Sequence, residues 1–183
     1  MERQFNYDIM KVIKERWSPR EFSNEKVPLE DLKAIFEAAR YAPSCFNEQP
    51  WRYIVAYKDD DVEILRGLLM KGNSWAKKAP VLAIAISTNT FKRNNKKNNY
   101  NKFDTGTSWG FLSLEAKKRG YDTHGMAGFS KKKAREILNI PEDCDIIAMI
   151  AIGKRIKSGN EKPNTRKSLE EVMIDINFFK ERN

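Results

Sequence analysis

The sequence predicts an α+β domain with a central mixed sheet covered by helices on both faces. Two observations carry this expectation. "PVLAIAIS" (80–87) and "CDIIAMIAIG" (144–153) are continuous apolar runs of strand length, as expected of strands buried on both faces. Helical and strand patterns also follow one another without the strict alternation of βαβ units. At 183 residues the chain suits a single domain, 1–183, and it carries no internal repeat or domain boundary.

The elements follow in order. Tyr7, Ile9, Met10, Val12 and Ile13 fit a short helix over 7–15. In "VPLEDLKAIFEAARYAP", Pro28 suits a first helical turn, and Glu30 and Asp31 lie at the positive end of the dipole. Leu29, Leu32, Ile35, Phe36 and Ala39 recur at helical spacing until Pro43 stops them. "WRYIVAYK" (51–58) alternates as a strand, and "DVEILRGLLM" (61–70) reads as a helix ending at Gly72. "DTGTSWGFLSLEAKKRG" (104–120) is a long helix closed by Gly120, followed by a strand at 121–126 and a helix at 131–138. The polar segment 88–103 reads as a lid or a solvated loop, and 154–165 as a basic loop holding Gly159 and Pro163.

Composition narrows the function classes. Apolar residues make up 40% and charged residues 32%, with ten Phe, six Tyr and four Trp, which supports a packed core rather than disorder. The apolar runs are too short to cross a bilayer, and "MERQFNYDIM" lacks the apolar stretch of a secretion signal. A cytoplasmic protein without a membrane partner is expected. Cys45 and Cys144 show no CxxC spacing, and the one histidine, His124, leaves no usual zinc constellation. Reduced thiols and no metal are expected. The net charge of +9 attracts nucleic acid, anionic ligands and acidic surfaces alike, so it selects none of them.

Three stretches can carry chemistry. "RWSPREF" (16–22) sets Arg16, Ser18 and Arg20 where a helix gives way to a loop; it is either a solvated basic turn or an anion socket. Lys162 and Arg166 lie in the second basic loop, after a buried strand, where sites usually form. "APSCFNEQPW" (42–51) needs its prolines to stop a helix and start a strand. Its cluster of Ser44, Asn47 and Gln49 is not explained that way. "HGMAGFS" (124–130) is a small-residue turn that lets a backbone approach a flat ligand, without the spacing of a dinucleotide fingerprint.

Taken together, these stretches resemble the nitroreductase family of FMN-dependent oxidoreductases along essentially the whole chain. Arg16, Ser18, Arg20 and Phe22 look like the family's R-x-S-x-R-x-F. Residues 42–51 match its A-P-S-x-x-N-x-Q-P-W without a gap, and Gly125–Phe129 resembles its small-residue turn. "LNIPEDCDIIAMIAIG" and "KPNTRKSLEEV" are similar to its last strand and basic closing motif. The resemblance implies an intertwined homodimer with two FMN sites. Arg16, Trp17, Ser18 and Arg20 would bind the flavin, Arg166 would close its phosphate site with Lys162 beside it, and Asn73 would face the ring. Met126, Ala127 and Gly128 would lie against the flavin, with the Ala127 N–H near N5. Pro43, Ser44, Cys45 and Asn47 would reach the flavin of the other subunit.

The implied reaction is ping-pong: NADH or NADPH passes hydride to flavin N5, then a nitroaromatic or quinone takes its place. No side-chain nucleophile is required, and Arg20 would stabilise the charge of reduced flavin near N1 and O2. Cys45 stands where the family has Ser or Thr, and "KPNTR" is longer than the compact family form. His124 borders the turn as a packed or loop histidine. A second reading is a basic nucleic-acid-binding domain in which Phe91, Tyr100 and Phe103 stack bases. Within the fold, a specialised flavin enzyme such as a reductive dehalogenase is a further alternative.

Overall fold

The computed structural model describes residues 3–156 and 161–178, so Gly159 of the basic loop lies outside the described residues. Its strands are β1 (Trp51–Ala56), β2 (Val81–Thr88), β3 (Asp122–Met126) and β4 (Cys144–Gly153), in the sheet order β1-β2-β4-β3. Every pairing is antiparallel, which corrects the expected mixed sheet. Neighbours β1 and β2 join at one end: Ala56 pairs with Leu82, so the intervening chain returns without crossing the sheet. β2 and β3 do run the same way, but β4 lies between them and no parallel pair forms.

The apolar runs are buried on both faces because helices cover both. Leu82, Ile84 and Ile86 of β2 pack with Val62 and Leu65 of α3 (Asp59–Arg66) and Ala134 of α5 (Lys131–Leu138). Val81 and Ala85 face the other way, toward Leu32, Ile35 and Ala39 of α2 (Leu29–Arg40) and Leu112 and Ala116 of α4 (Asn101–Lys118). That alternation is the period of two of a strand. A register shift between Ala85 and Ile86 skips Ile147 and switches the parity of β4, so Ile146 and Met149 reach the same core.

Several boundaries move. The first helix, α1, covers only Lys11–Glu15; Tyr7 and Met10 are exposed, so the apolar pattern before it has no face to pack against. α3 starts at Asp59, with three aspartates at the positive end of its dipole, and ends at Arg66. Beyond it, Gly72 belongs to a 3₁₀ stretch, Lys71–Lys78, rather than to a helix stop. α4 ends in a Schellman motif: Tyr121 N–H donates to Ala116 O (2.9 Å) and Gly120 N–H to Lys117 O (3.0 Å), with Gly120 at φ +85°. A short α6 (Leu169–Val172) carries a Ser168/Glu171 capping box.

The 88–103 segment keeps 92–97 exposed, as expected of a solvated loop, but is pinned at Phe91 and Asn98 and runs into α4 at Asn101. Phe91 is buried, Asn98 is 1% exposed, and Phe91 N–H donates to Lys96 O at 2.8 Å. Its ring meets Phe46 edge-on at 5.9 Å, and Lys92 N–H donates to Glu48 Oε1 at 3.0 Å. The segment is therefore docked on the 44–49 turn, and Phe91 is unavailable for base stacking.

Candidate functional site

The first motif is held by the end of the sheet. After α1 the backbone turns extended at Arg16, and residues 21–23 pair with 154–156 just beyond β4: Ser23 N–H donates to Lys154 O (2.8 Å) and Ile156 N–H to Glu21 O (3.0 Å). Phe22, 1% exposed, anchors this pairing in the core. Arg16, Trp17, Ser18 and Arg20 consequently sit where β3 begins and β4 ends.

There the arginines gather. Arg16 Nη1 reaches Ser18 Oγ at 3.4 Å. Arg3 folds back and donates through Nη1 to Arg16 O at 2.7 Å and through Nε to Asn164 O at 3.4 Å. Arg166 Nη1 donates to the same Asn164 carbonyl at 3.4 Å, and to Thr165 O at 2.9 Å. Burial, and next the Arg166 charge, lowers the pKa of Arg16, while Asp122 raises it. Burial, then Arg166 and Arg16, lowers that of Arg3. The three guanidiniums thus repel one another. Asp122 offsets only part of this repulsion, because its buried carboxylate also holds Lys117 at 3.0 Å and Arg155 at 3.7 Å. Arg3 Nη2 and Trp17 Nε1 are buried with no partner among the described residues. A cleft of about 520 Å³ opens beside them, lined by Arg3, Lys14, Trp17, Arg155 and Lys162 among others. Cations crowd here next to buried unpaired donors, with Asp122 and, on the cleft itself, Glu15 supplying part of the counter-charge; such a corner favours an anion.

A chain of contacts leads from this corner along β3, one of the two edge strands of the sheet. His124 Nδ1 lies 2.9 Å from Pro19 O, and its ring is 4.5 Å from that of Trp75. Trp75 Nε1 donates to Asn73 Oδ1 (3.2 Å), and Asn73 Nδ2 donates to Gly128 O (3.0 Å). Both ends of the Asn73 amide are therefore used to brace the 126–128 turn. Met126 is buried and Ala127 exposed, so the turn presents backbone rather than bulk. Burial lowers the His124 pKa; its contact with Pro19 opposes this, the Arg20 charge adds to it, and Glu161 opposes it. The Arg20 side chain is exposed beside His124, and the Glu161 carboxylate accepts the N–H groups of Arg20 (2.8 Å) and Glu21 (3.0 Å).

Pro43, Ser44, Cys45 and Asn47 are not brought to this corner. Their segment enters β1 at Trp51, opposite Ser87, whereas Asp122 and Gly153 lie at the Val81 end. The separation is about 20 Å along β2 at roughly 3.3 Å per residue, on the opposite edge of the sheet. The polar cluster there satisfies itself. Ser44 Oγ accepts Gln49 N–H at 2.9 Å, and Gln49 Nε2 donates to Asn47 O and Oδ1, both at 3.1 Å. Asp104 Oδ2 accepts Cys45 N–H at 3.1 Å. These bonds hold Phe46, Asn47 and Gln49 at positive φ and leave Phe46 67% exposed, with the Arg93 guanidinium 3.8 Å above its ring. Cys45 and Cys144 are both free thiols.

Sequence reasoning missed Arg3, Trp75 and Glu161. A lone arginine in "MERQF" has no local signal, since its partners lie 13 and 161 positions away. Among the described residues no helix is long and apolar enough to cross a membrane, and no cluster of His, Cys, Asp and Glu could hold a metal ion.

Fold and site together define an α+β protein with a cationic corner at one edge of an antiparallel sheet. The sequence model of the nitroreductase family matches residues 13–71 and 65–154, and the chain belongs to that family. A crystal structure described as an oxidoreductase containing FMN is 35% identical, covers 96% of each chain and superposes with a TM-score of 0.89. An iodotyrosine deiodinase 1 of Sus scrofa is 26% identical over 92% of this chain and 68% of its own length. An NADH dehydrogenase of Thermus thermophilus is 26% identical over 87% of this chain and 91% of its own.

Proposed function

We propose that the protein is an FMN-dependent NAD(P)H oxidoreductase that reduces an electron-poor small molecule, such as a nitroaromatic or quinone, by a ping-pong route. The whole chain acts as one FMN-binding domain within a homodimer. One observation carries this reading: the mutually repelling guanidiniums of Arg3, Arg16 and Arg166, with the buried unpaired Arg3 Nη2, fit the phosphate of FMN. The FMN-containing relative with the same fold supports it, as does the NADH dehydrogenase for the donor.

FMN, when bound, would supply the two-electron redox chemistry that links the nicotinamide donor to the acceptor. The chain binds and orients. Arg16, Ser18 and Arg166 hold the phosphate end, with Trp17 and Lys162 walling the cleft next to it. Arg20, exposed beside His124, would lie by the pyrimidine edge, where a fixed cation would favour the reduced, more negative state. Met126, Ala127 and Gly128 offer backbone to the ring, and Asn73 keeps that turn in place. Pro43, Ser44, Cys45 and Asn47 of the partner subunit complete the site, because within one chain they stand at the far corner. The exposed Phe46, Phe103 and Met173 are apolar surface suited to such an interface. The docked 88–103 segment then travels with the partner's turn and walls the acceptor pocket.

Reductive dehalogenation of a haloaromatic is the second reading, favoured by the deiodinase relative. The test is an anaerobic titration of FMN-loaded protein with each nicotinamide, followed by each acceptor class. Bleaching of the flavin band by NADH or NADPH and its return with a nitroaromatic or quinone is expected. A band restored only by haloaromatics favours the second reading, and a band that no nicotinamide bleaches removes both.

A further inference from the structure

The N-terminal segment contributes a residue that no motif contains. Arg3 bridges the two stretches that bear Arg16 and Arg166: it bonds Arg16 O at 2.7 Å and, through Nε, the Asn164 carbonyl that Arg166 also uses. Two guanidiniums converging on one carbonyl oxygen lie side by side. Cations are placed so only when something holds them or something anionic is meant to join them. The two carbonyls supply the first. The second is met only in part: Asp122 is shared with Lys117 and Arg155, and Glu15 on the cleft pairs with Lys11 at 3.7 Å. Nη2 of Arg3 is shielded from water and donates to no acceptor among the described residues, an arrangement that costs stability unless a ligand oxygen arrives.

We propose that Arg3 is the third guanidinium of the phosphate socket, its Nη2 donating to the FMN phosphate between Arg16 and Arg166. The role rests on the FMN reading above and deepens it. A phosphomonoester carries close to two negative charges and three acceptor oxygens, so a third fork adds charge and a donor that two arginines leave unused. It also makes the N-terminal segment part of the site, so FMN binding ties residue 3 to the loop that follows β4.

The experiment compares FMN with riboflavin, which has the same ring and ribityl chain but no phosphate. Both are titrated into apo-protein by quenching of flavin fluorescence, for wild type, Arg3→Ala, Arg3→Gln and Arg166→Ala. Arg3→Ala is expected to raise the FMN Kd by roughly ten- to a hundredfold, the range of a charge-assisted hydrogen bond, and to leave the riboflavin Kd unchanged. Arg3→Gln keeps a donor for Arg16 O but not the charge, so the ratio of riboflavin to FMN Kd falls there too. It serves as the deciding variant if Arg3→Ala does not fold. Equal weakening of both flavins overturns the proposal, because bracing of the segment would then be the whole role; so does an unchanged FMN Kd. Those outcomes leave the FMN reading standing if wild type binds FMN and Arg166→Ala loses it. Wild type that binds neither flavin removes both.

Discussion

The side-chain amide of Asn73 donates to Gly128 O at 3.0 Å and fills the space that a Cβ on residue 128 would need, which would stand 2.5 Å from Asn73 Nδ2. Gly128 is a glycine because a side chain packs on its backbone. Gly128→Ala should displace that amide and destabilise the fold by about 1–2 kcal/mol. In the Asn73→Ala background the same change should cost much less. A double-mutant cycle by urea denaturation measures the coupling, and additive effects would reject the pairing.

Asp104 does the same for the distant turn. Asp104 is 3% exposed as a residue, and its carboxylate accepts the Cys45 N–H, fixing a segment with three residues at positive φ. Asp104→Ala should cost about 1.5–3 kcal/mol, the range of a hydrogen bond to a charged group. Asp104→Asn, which keeps an acceptor, should cost less. Equal stability of wild type and the Ala variant would contradict the role.

Arg166→Ala should weaken FMN binding by about 1.5–3 kcal/mol through loss of a charge-assisted phosphate contact. Riboflavin binding should be unaffected. Isothermal calorimetry with both flavins reads the difference, and an unchanged FMN Kd would reject Arg166 as a phosphate ligand.

His124 makes a prediction with a defined sign. Its folded pKa lies below the ordinary 6.5, chiefly through burial. Between the two pKa values the unfolded chain binds more protons, so stability falls as pH drops below about 6.5 and the loss levels off at the folded pKa. Arg20 and Glu161, the charged groups that act on the ring, push in opposite directions and leave burial dominant. The variant His124→Gln lacks this proton. Its Tm should decline less than that of wild type as pH falls from 7 to 5; parallel Tm profiles would contradict the assignment.

Much of this was legible in the sequence, and the reasons differ by element. β2 and β4 are central strands, and burial on both faces gives them unbroken apolar runs. Their relative direction was not legible, because the same runs serve parallel and antiparallel sheets; the fold sets Val81 opposite Ile152 and Thr88 opposite Cys144, antiparallel. Arg16 and Arg166 stood out as charges near element ends, with the Ser18 hydroxyl beside the first, and the fold brings them to one corner. Arg3 did not, since its meaning depends on contacts 13 and 161 residues away. The cluster Ser44, Asn47 and Gln49 read as ligand donors, yet in one chain these groups bond to one another. The positive φ of Phe46, Asn47 and Gln49, which those bonds accompany, has no signature in the sequence.

The account depends on a flavin site assembled from two copies of the chain. Sedimentation equilibrium of the FMN-reconstituted protein, followed at a wavelength only the flavin absorbs, tests it directly. Flavin sedimenting with about twice the 21.3 kDa chain mass is the predicted result. Flavin sedimenting with a single chain, or separating from the protein altogether, would contradict it.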